Sequence, residues 1–110
     1  MSHYAAGDVV LAPFRFRGEG SGKIRPVVVV AAGTDGMLTV CPVSQRKPSG
    51  VAYLQVSLGD FMRGGLDLLD ESYILPGSPC RMSISEIIGL KGRLSGSTTA
   101  EILAIVPCIR

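Results

Sequence analysis

The apolar residues of this chain come in short blocks separated by polar, glycine-rich stretches. Gly7-Asp8 opens a run from Val9 to Phe14 that predicts a first strand. Residues 15–25 are polar, basic and rich in glycine, and predict a loop. Pro26 to Ala32 contains Val27-Val28-Val29-Val30, an apolar, strongly β-forming run that suits a buried strand. Gly33-Thr34-Asp35-Gly36 carries the residues of a hairpin turn and leads into a third strand, Met37 to Val43. Ser44 to Gly50 predicts a second polar loop, Val51 to Val56 a fourth strand, and Leu58 to Gly65 a single helical turn stopped by Gly64-Gly65. Ser72 to Leu75 and Cys80 to Ile84 read as short strands around the irregular Pro76-Gly77-Ser78-Pro79.

The last segment changes character. Thr98 followed by Glu101 has the spacing of a capping box, and Ile102, Leu103, Ile105 and Val106 supply an apolar face before Pro107. A short helix is therefore expected from about Thr99 to Val106. Short strands in succession with one terminal helix imply a small, mostly antiparallel barrel or sheet. At 110 residues the chain makes one domain, residues 1–110.

Composition narrows the class. Hydrophobic residues make up 46% of the chain, which rules out global disorder. No apolar run approaches the ~20 residues of a membrane helix, and Met1 to Gly7 lacks a signal-peptide pattern. Cys41, Cys80 and Cys108 are odd in number and without CxxC spacing. A disulfide framework or zinc site is thus not expected, and a reducing cytoplasm is. Each cysteine reads as a small buried hydrophobe.

The net charge of +2 is small but uneven: through Lys47 there are six basic residues against three acidic, and beyond it five against six. The N-terminal half is the better place for a polyanion site. Proline is tolerated best at a strand's first residue or edge, so Pro26 predicts that Lys23 and Arg25 lie on the loop just outside a buried strand. A loop cation on a rigid scaffold is a candidate phosphate ligand, and equally a solvated charge at a strand end.

Taken in order, these features resemble one family. Gly7-Asp8-Val9-Val10-Leu11 looks like its opening strand and Lys23-Ile24-Arg25-Pro26-Val27-Val28-Val29-Val30 like its second. Cys41-Pro42-Val43-Ser44-Gln45 resembles its third-strand exit, Pro-aliphatic-Thr/Ser, and Gly92-Arg93-Leu94-Ser95 its approach to the last helix. This is the PemK/MazF-like family, the toxins of type II toxin–antitoxin systems. The resemblance spans about residues 7–106. It implies an SH3-like small barrel with a short C-terminal helix. It also implies a homodimeric, cytoplasmic, sequence-selective endoribonuclease that acts on single-stranded RNA without a metal or other cofactor and is neutralised by a cognate antitoxin. Arg25 matches the family arginine associated with phosphate contact and catalysis, and Ser44 the position usually held by threonine. The chain departs from the pattern after Ser72-Tyr73-Ile74: Leu75 and Gly77 stand where many members have an arginine and an aspartate that serve as acid and base.

Metal-free RNA cleavage needs a base for the 2′-hydroxyl proton, an acid for the departing 5′ oxygen and cations for the extra phosphate charge. Arg25 suits the last task and is a poor base. Ser44 can hydrogen-bond the phosphate or orient the hydroxyl. Glu19, within Gly18-Glu19-Gly20-Ser21-Gly22, is the candidate base, ahead of Asp35 and Glu71, although such a loop carboxylate is more often merely solvated. His3 lies in the N-terminal tail and reads as a bystander. Arg15, Arg17, Lys23, Gln45, Arg46, Lys47 and Arg81 are candidate RNA contacts, and Tyr53 and Tyr73 are either base-stacking rings or caps on the core. Replacement of the arginine and aspartate by Leu75 and Gly77 leaves an alternative: a weakened module that binds antitoxin or RNA without efficient cleavage. A subunit of a larger assembly is a third reading.

Overall fold

A computed structural model describes residues 4–14, 23–33, 35–44, 49–51, 53–57, 61–64, 72–75 and 80–105. Its strands are β1 (Asp8–Phe14), β2 (Lys23–Ala32), β3 (Met37–Ser44), β4 (Leu54–Val56), β5 (Phe61–Gly64), β6 (Ser72–Ile74), β7 (Cys80–Ser83) and β8 (Gly89–Leu94), followed by helix α1 (Gly96–Ile105). They form one curled antiparallel sheet in the order β4-β6-β3-β2-β1-β8-β5. The free edge of β3 is shared: its end at Val43 and Ser44 pairs with β6, and Met37–Val40 pair with β7.

The valine run at the centre behaves as its composition demands. Val28 and Val30 enter one core with Val9, Cys41, Val43, Val56, Ile74, Leu94 and Ile102 of the helix. Val27 and Val29 enter a second core on the other face, with Val10, Ala12, Phe14, Leu38, Val40 and Met82. An irregularity between Val29 and Ala31 then shifts the β2–β3 register by one. The hairpin follows, with Gly36 at φ +79 and Met37 N–H donating to Asp35 Oδ1 at 3.1 Å.

Four expectations change. Strand β2 begins at Lys23 rather than Pro26, and Lys23 and Arg25 pair with Phe14 and Ala12 inside the sheet instead of lying on a loop. A residue before proline is pushed toward extended backbone, and β1, running out to Phe14, supplies the partner. Pro26 stands one residue beyond Val27↔Pro42, the last pair of the β2–β3 ladder, so its missing N–H leaves that ladder intact. The segment expected to make a helical turn is strand β5, paired with β8. So short a segment has too little to nucleate a helix, whereas a sheet edge offers ready hydrogen bonds. Strand β8 was not foreseen at all: Gly89, Lys91, Gly92 and Arg93 carry no strand signal, and its backbone is held by β1 and β5.

The helix starts three residues earlier than its capping pattern predicted. Ser95 Oγ accepts from Thr98 N–H at 3.3 Å and closes the first turn, while Thr98 itself is buried within the helix. The capping box that does form lies elsewhere: Ser83 N–H donates to Glu86 Oε2 at 2.9 Å, and Ser83 Oγ accepts from Ser85 N–H, around the 3-10 turn Ile84–Glu86. Helix α1 sits over Gly7, whose φ is +99, and a Cβ there would meet Thr99 Oγ1.

Candidate functional site

The central question is whether Arg25 and Ser44 share a face. Strand alternation and register answer it. Val27 pairs with Pro42, Val28 with Cys41 and Val29 with Val40. Counted two residues past Val27↔Pro42, the last of these pairs, Arg25 and Ser44 occupy matching positions on β2 and β3, beyond the paired stretch of the ladder. Both then project on the face of Val27, Val29 and Val40. On the other side of β2, Arg25 faces Ala12, which belongs to that same core.

The row continues across the sheet. Ser44 pairs with Tyr73, and Tyr73 pairs with Gln55. By alternation Arg25, Ser44, Tyr73 and Gln55 share one face, and Ser44, Tyr73 and Gln55 stand in register across paired strands at the usual spacing of about 4.8 Å. Lys23, exposed, stands two residues beyond Arg25 on the same face. The Nε of Arg25 is buried. Arg25, Ser44 and Gln55 each take part in an interaction. Among the described residues no carboxylate stands in this row, so its local field is that of two cations and neutral dipoles.

The remaining candidates divide. Arg15, Arg17, Glu19, Gln45, Arg46, Lys47, Glu71, Gly77 and His3 lie outside the described residues. Arg81 is described and stands apart. It pairs with Thr39, five positions from Ser44 along β3, or about 17 Å at the usual rise. By alternation it projects on the opposite face, because Thr39 and Ser44 differ in parity. Its guanidinium contacts Asp35 at 3.1 Å, a pair in which both side chains are exposed. Arg81 is therefore not a neighbour of Arg25 and Ser44, and Asp35, held at the β2–β3 turn, cannot serve that site as its base. Leu75 lies past the end of β6 with its N–H on Pro42 O at 3.0 Å.

A second ion pair was invisible in the sequence. Arg93 Nε donates to Asp8 Oδ1 at 2.7 Å, and Asp8 is only 1% exposed. The hydrogen bond and charge of Asp8 raise the Arg93 pKa above its ordinary value. Ala5 N–H donates to the other oxygen, Asp8 Oδ2, at 2.9 Å. A buried carboxylate must be compensated in this way, and the pair ties the start of β1 to β8. Arg93 is thus committed to the fold. Cys41 is buried as expected, which pushes its thiol up to about 11, whereas Cys80 is exposed and corrects the reading of it as a buried hydrophobe. Among the described residues no cluster of three or more His, Cys, Asp or Glu could hold a metal ion, and no helix is long and apolar enough to cross a membrane.

Gln55 was missed by sequence reasoning. Its strand has only three residues, and nothing local to Leu54–Val56 says which strand it will join.

Comparison with known proteins follows the same line. The family model described as PemK-like, MazF-like toxin of type II toxin-antitoxin system matches residues 5–107. Among solved structures, the chain is similar to Mycobacterium tuberculosis toxin MazF-mt6, with a TM-score of 0.63 and 15% identity over 88% of each chain. It is also similar to MazE-MazF from Deinococcus radiodurans, with a TM-score of 0.61 and 18% identity, covering 92% of this chain and 90% of that one. Among curated protein sequences none matches.

Proposed function

The chain belongs to the PemK-like, MazF-like toxin family of type II toxin–antitoxin systems, and from that premise we propose that it is an endoribonuclease that cleaves single-stranded RNA by attack of the 2′-hydroxyl on the adjacent phosphate, and that a cognate antitoxin neutralises it. The observation that supports the reading is strand alternation, which puts Arg25 and Ser44 on one face at the ends of neighbouring strands β2 and β3. A planar guanidinium beside a hydroxyl is a suitable cradle for one phosphodiester.

The reaction follows from these parts. The 2′ oxygen loses its proton to a base and bonds to phosphorus. The bond from phosphorus to the 5′ oxygen breaks, that oxygen takes a proton, and a 2′,3′-cyclic phosphate and a 5′-hydroxyl remain. Arg25 binds the non-bridging oxygens as negative charge builds on them, without giving up its proton. Ser44 donates to a phosphate oxygen and orients the strand. Every described carboxylate except Glu101 is engaged at a distance: Asp8 with Arg93, Asp35 with Arg81, Glu86 with the Ser83 amide. Glu101 lies on the far helix. Glu19, one of five carboxylates outside the described residues, is kept as the proposed base, with Glu71 as the alternative. Lys23, with Arg15, Arg17, Gln45, Arg46 and Lys47, guides the RNA backbone; no metal or cofactor takes part. The protein acts as a homodimer in the cytoplasm, and its cationic face is also the natural seat for an acidic antitoxin segment.

Arg25→Ala tests the assignment. Cleavage of a single-stranded RNA in EDTA should be lost, and full activity in this variant would remove Arg25 from the mechanism. A second reading has its own observation: Leu75, an apolar residue, occupies a position where many family members carry a catalytic arginine. On that reading the protein binds antitoxin or RNA but cuts poorly. Induced expression separates the two, since the nuclease arrests growth and fragments transcripts while the binding module does neither.

A further inference from the structure

The row that holds Arg25 and Ser44 does not end at Ser44. We infer that Tyr73, braced by Tyr53, is the platform on which a base of the bound strand stacks, so that β6 adds a base-binding subsite next to the phosphate cradle. The inference rests on the RNA reading above and deepens it.

Three observations support it. First, Tyr73 faces Ser44 directly across the β3–β6 ladder, so the ring is rooted about 5 Å from the hydroxyl that holds the phosphate. A ribose and its base reach that far from their own phosphate. Second, the ring is pre-positioned. Strand β6 is bonded on both sides, to β3 through Ser44 and to β4 through Gln55, and the rings of Tyr53 and Tyr73 meet edge to face, with centroids 5.4 Å apart at 82°. A stacking surface already held in place costs little ordering when a ligand arrives. Third, neither tyrosine belongs to either hydrophobic core, and both are half-buried with their rings in partial contact with solvent. In a chain with three tyrosines, three phenylalanines and no tryptophan, two aromatic rings sit beside the polar row instead of inside the protein. Gln55, exposed and next along the row, offers an amide to the edge of the stacked base.

The chemistry selects the ligand feature. A ring face recognises any base and tolerates sequence, whereas Arg25 and Lys23 recognise only the backbone. The test separates these contributions. Wild-type, Tyr73→Phe and Tyr73→Leu proteins are titrated with two probes: a random-sequence 12-mer pool of 2′-fluoro RNA, which cannot be cleaved, and a 12-mer of abasic sugar phosphates. Thermal melts establish that each variant is folded.

Tyr73→Leu should weaken binding of the 2′-fluoro pool about 5- to 100-fold, the range that loss of one base–aromatic stack gives. It should change binding of the abasic probe less than about 2-fold. Tyr73→Phe should match wild type on both. Equal losses on the two probes would mean that the ring merely supports the fold and would overturn the inference. So would an unchanged affinity in Tyr73→Leu, or a loss in Tyr73→Phe as large as in Tyr73→Leu. Failure of the wild-type protein to bind the 2′-fluoro pool would overturn the RNA reading itself, a result distinct from the others.

Discussion

Replacing Arg25 and Ser44 together by cysteine, with Cys80 and Cys108 changed to serine, tests the register on which the site is built. Residues opposite each other on antiparallel strands have Cα atoms about 4.5–5.5 Å apart, within the about 4.4–6.8 Å that a disulfide accepts. The bridge would close the 20-residue loop from residue 25 to residue 44. Chain entropy puts its stabilisation at about 3 kcal/mol. With an unfolding entropy of about 2.1 cal/mol/K per residue over the whole chain, that corresponds to a rise in Tm of about 10–15 °C, abolished by reductant. The assay is a melt with and without dithiothreitol, alongside thiol counting and mass under mild oxidation. Cys41 remains in this background and contributes no accessible thiol, because it is buried. The control is the pair Arg25→Cys with Tyr73→Cys, on the same face but separated by an intervening strand, hence about 10 Å apart and beyond bridging distance. Free thiols in the first pair after oxidation, or equally ready bridging in the control, would refute the register and with it the shared phosphate cradle.

Four further outcomes follow from the packing. Gly7→Ala should lower stability by about 1–3 kcal/mol in urea denaturation, because residue 7 has φ +99 and a new Cβ would press on Thr99. Ile102→Ala should cost about 2–5 kcal/mol, since Ile102 is 1% exposed and carries α1 into the first core; a loss under 1 kcal/mol would mean that the helix is not anchored there. Ser72→Ala should be neutral or stabilising in the same assay, because Ser72 Oγ is buried with no hydrogen-bond partner among the described residues. Cys41, with its pKa raised from 9.0 to about 11 by burial, favours the fold in its protonated form. That contribution should be complete below pH 9 and be lost as pH rises through 11, and a wild-type minus Cys41→Ala difference in stability measured across that window should shrink accordingly.

The helix shows why some elements are readable and others only in part. Its existence followed from an apolar cluster bounded by proline, but its first turn is closed by Ser95, because Thr98 is buried inside the helix and its own N–H is the group that Ser95 Oγ caps. Strand β8 carries two glycines and two cations, so nothing in its side chains announces a strand; it exists because β1 needed a second neighbour. Phe61–Gly64 likewise became a strand by pairing with β8.

Periodicity, proline and the turn residues determined on their own that this is a mostly β chain and that the valine run is buried. These are local properties, set by backbone preference and by which side chains avoid water. Only the tertiary structure decided that Arg25 lies within its strand, that Ser44, Tyr73 and Gln55 fall in line with it, and that Arg81 and Arg93 are spent on Asp35 and Asp8. Those facts depend on register between strands far apart in the chain. A slip of one residue turns every side chain to the other face, and no stretch of sequence by itself states with which partner, or in which register, it will pair.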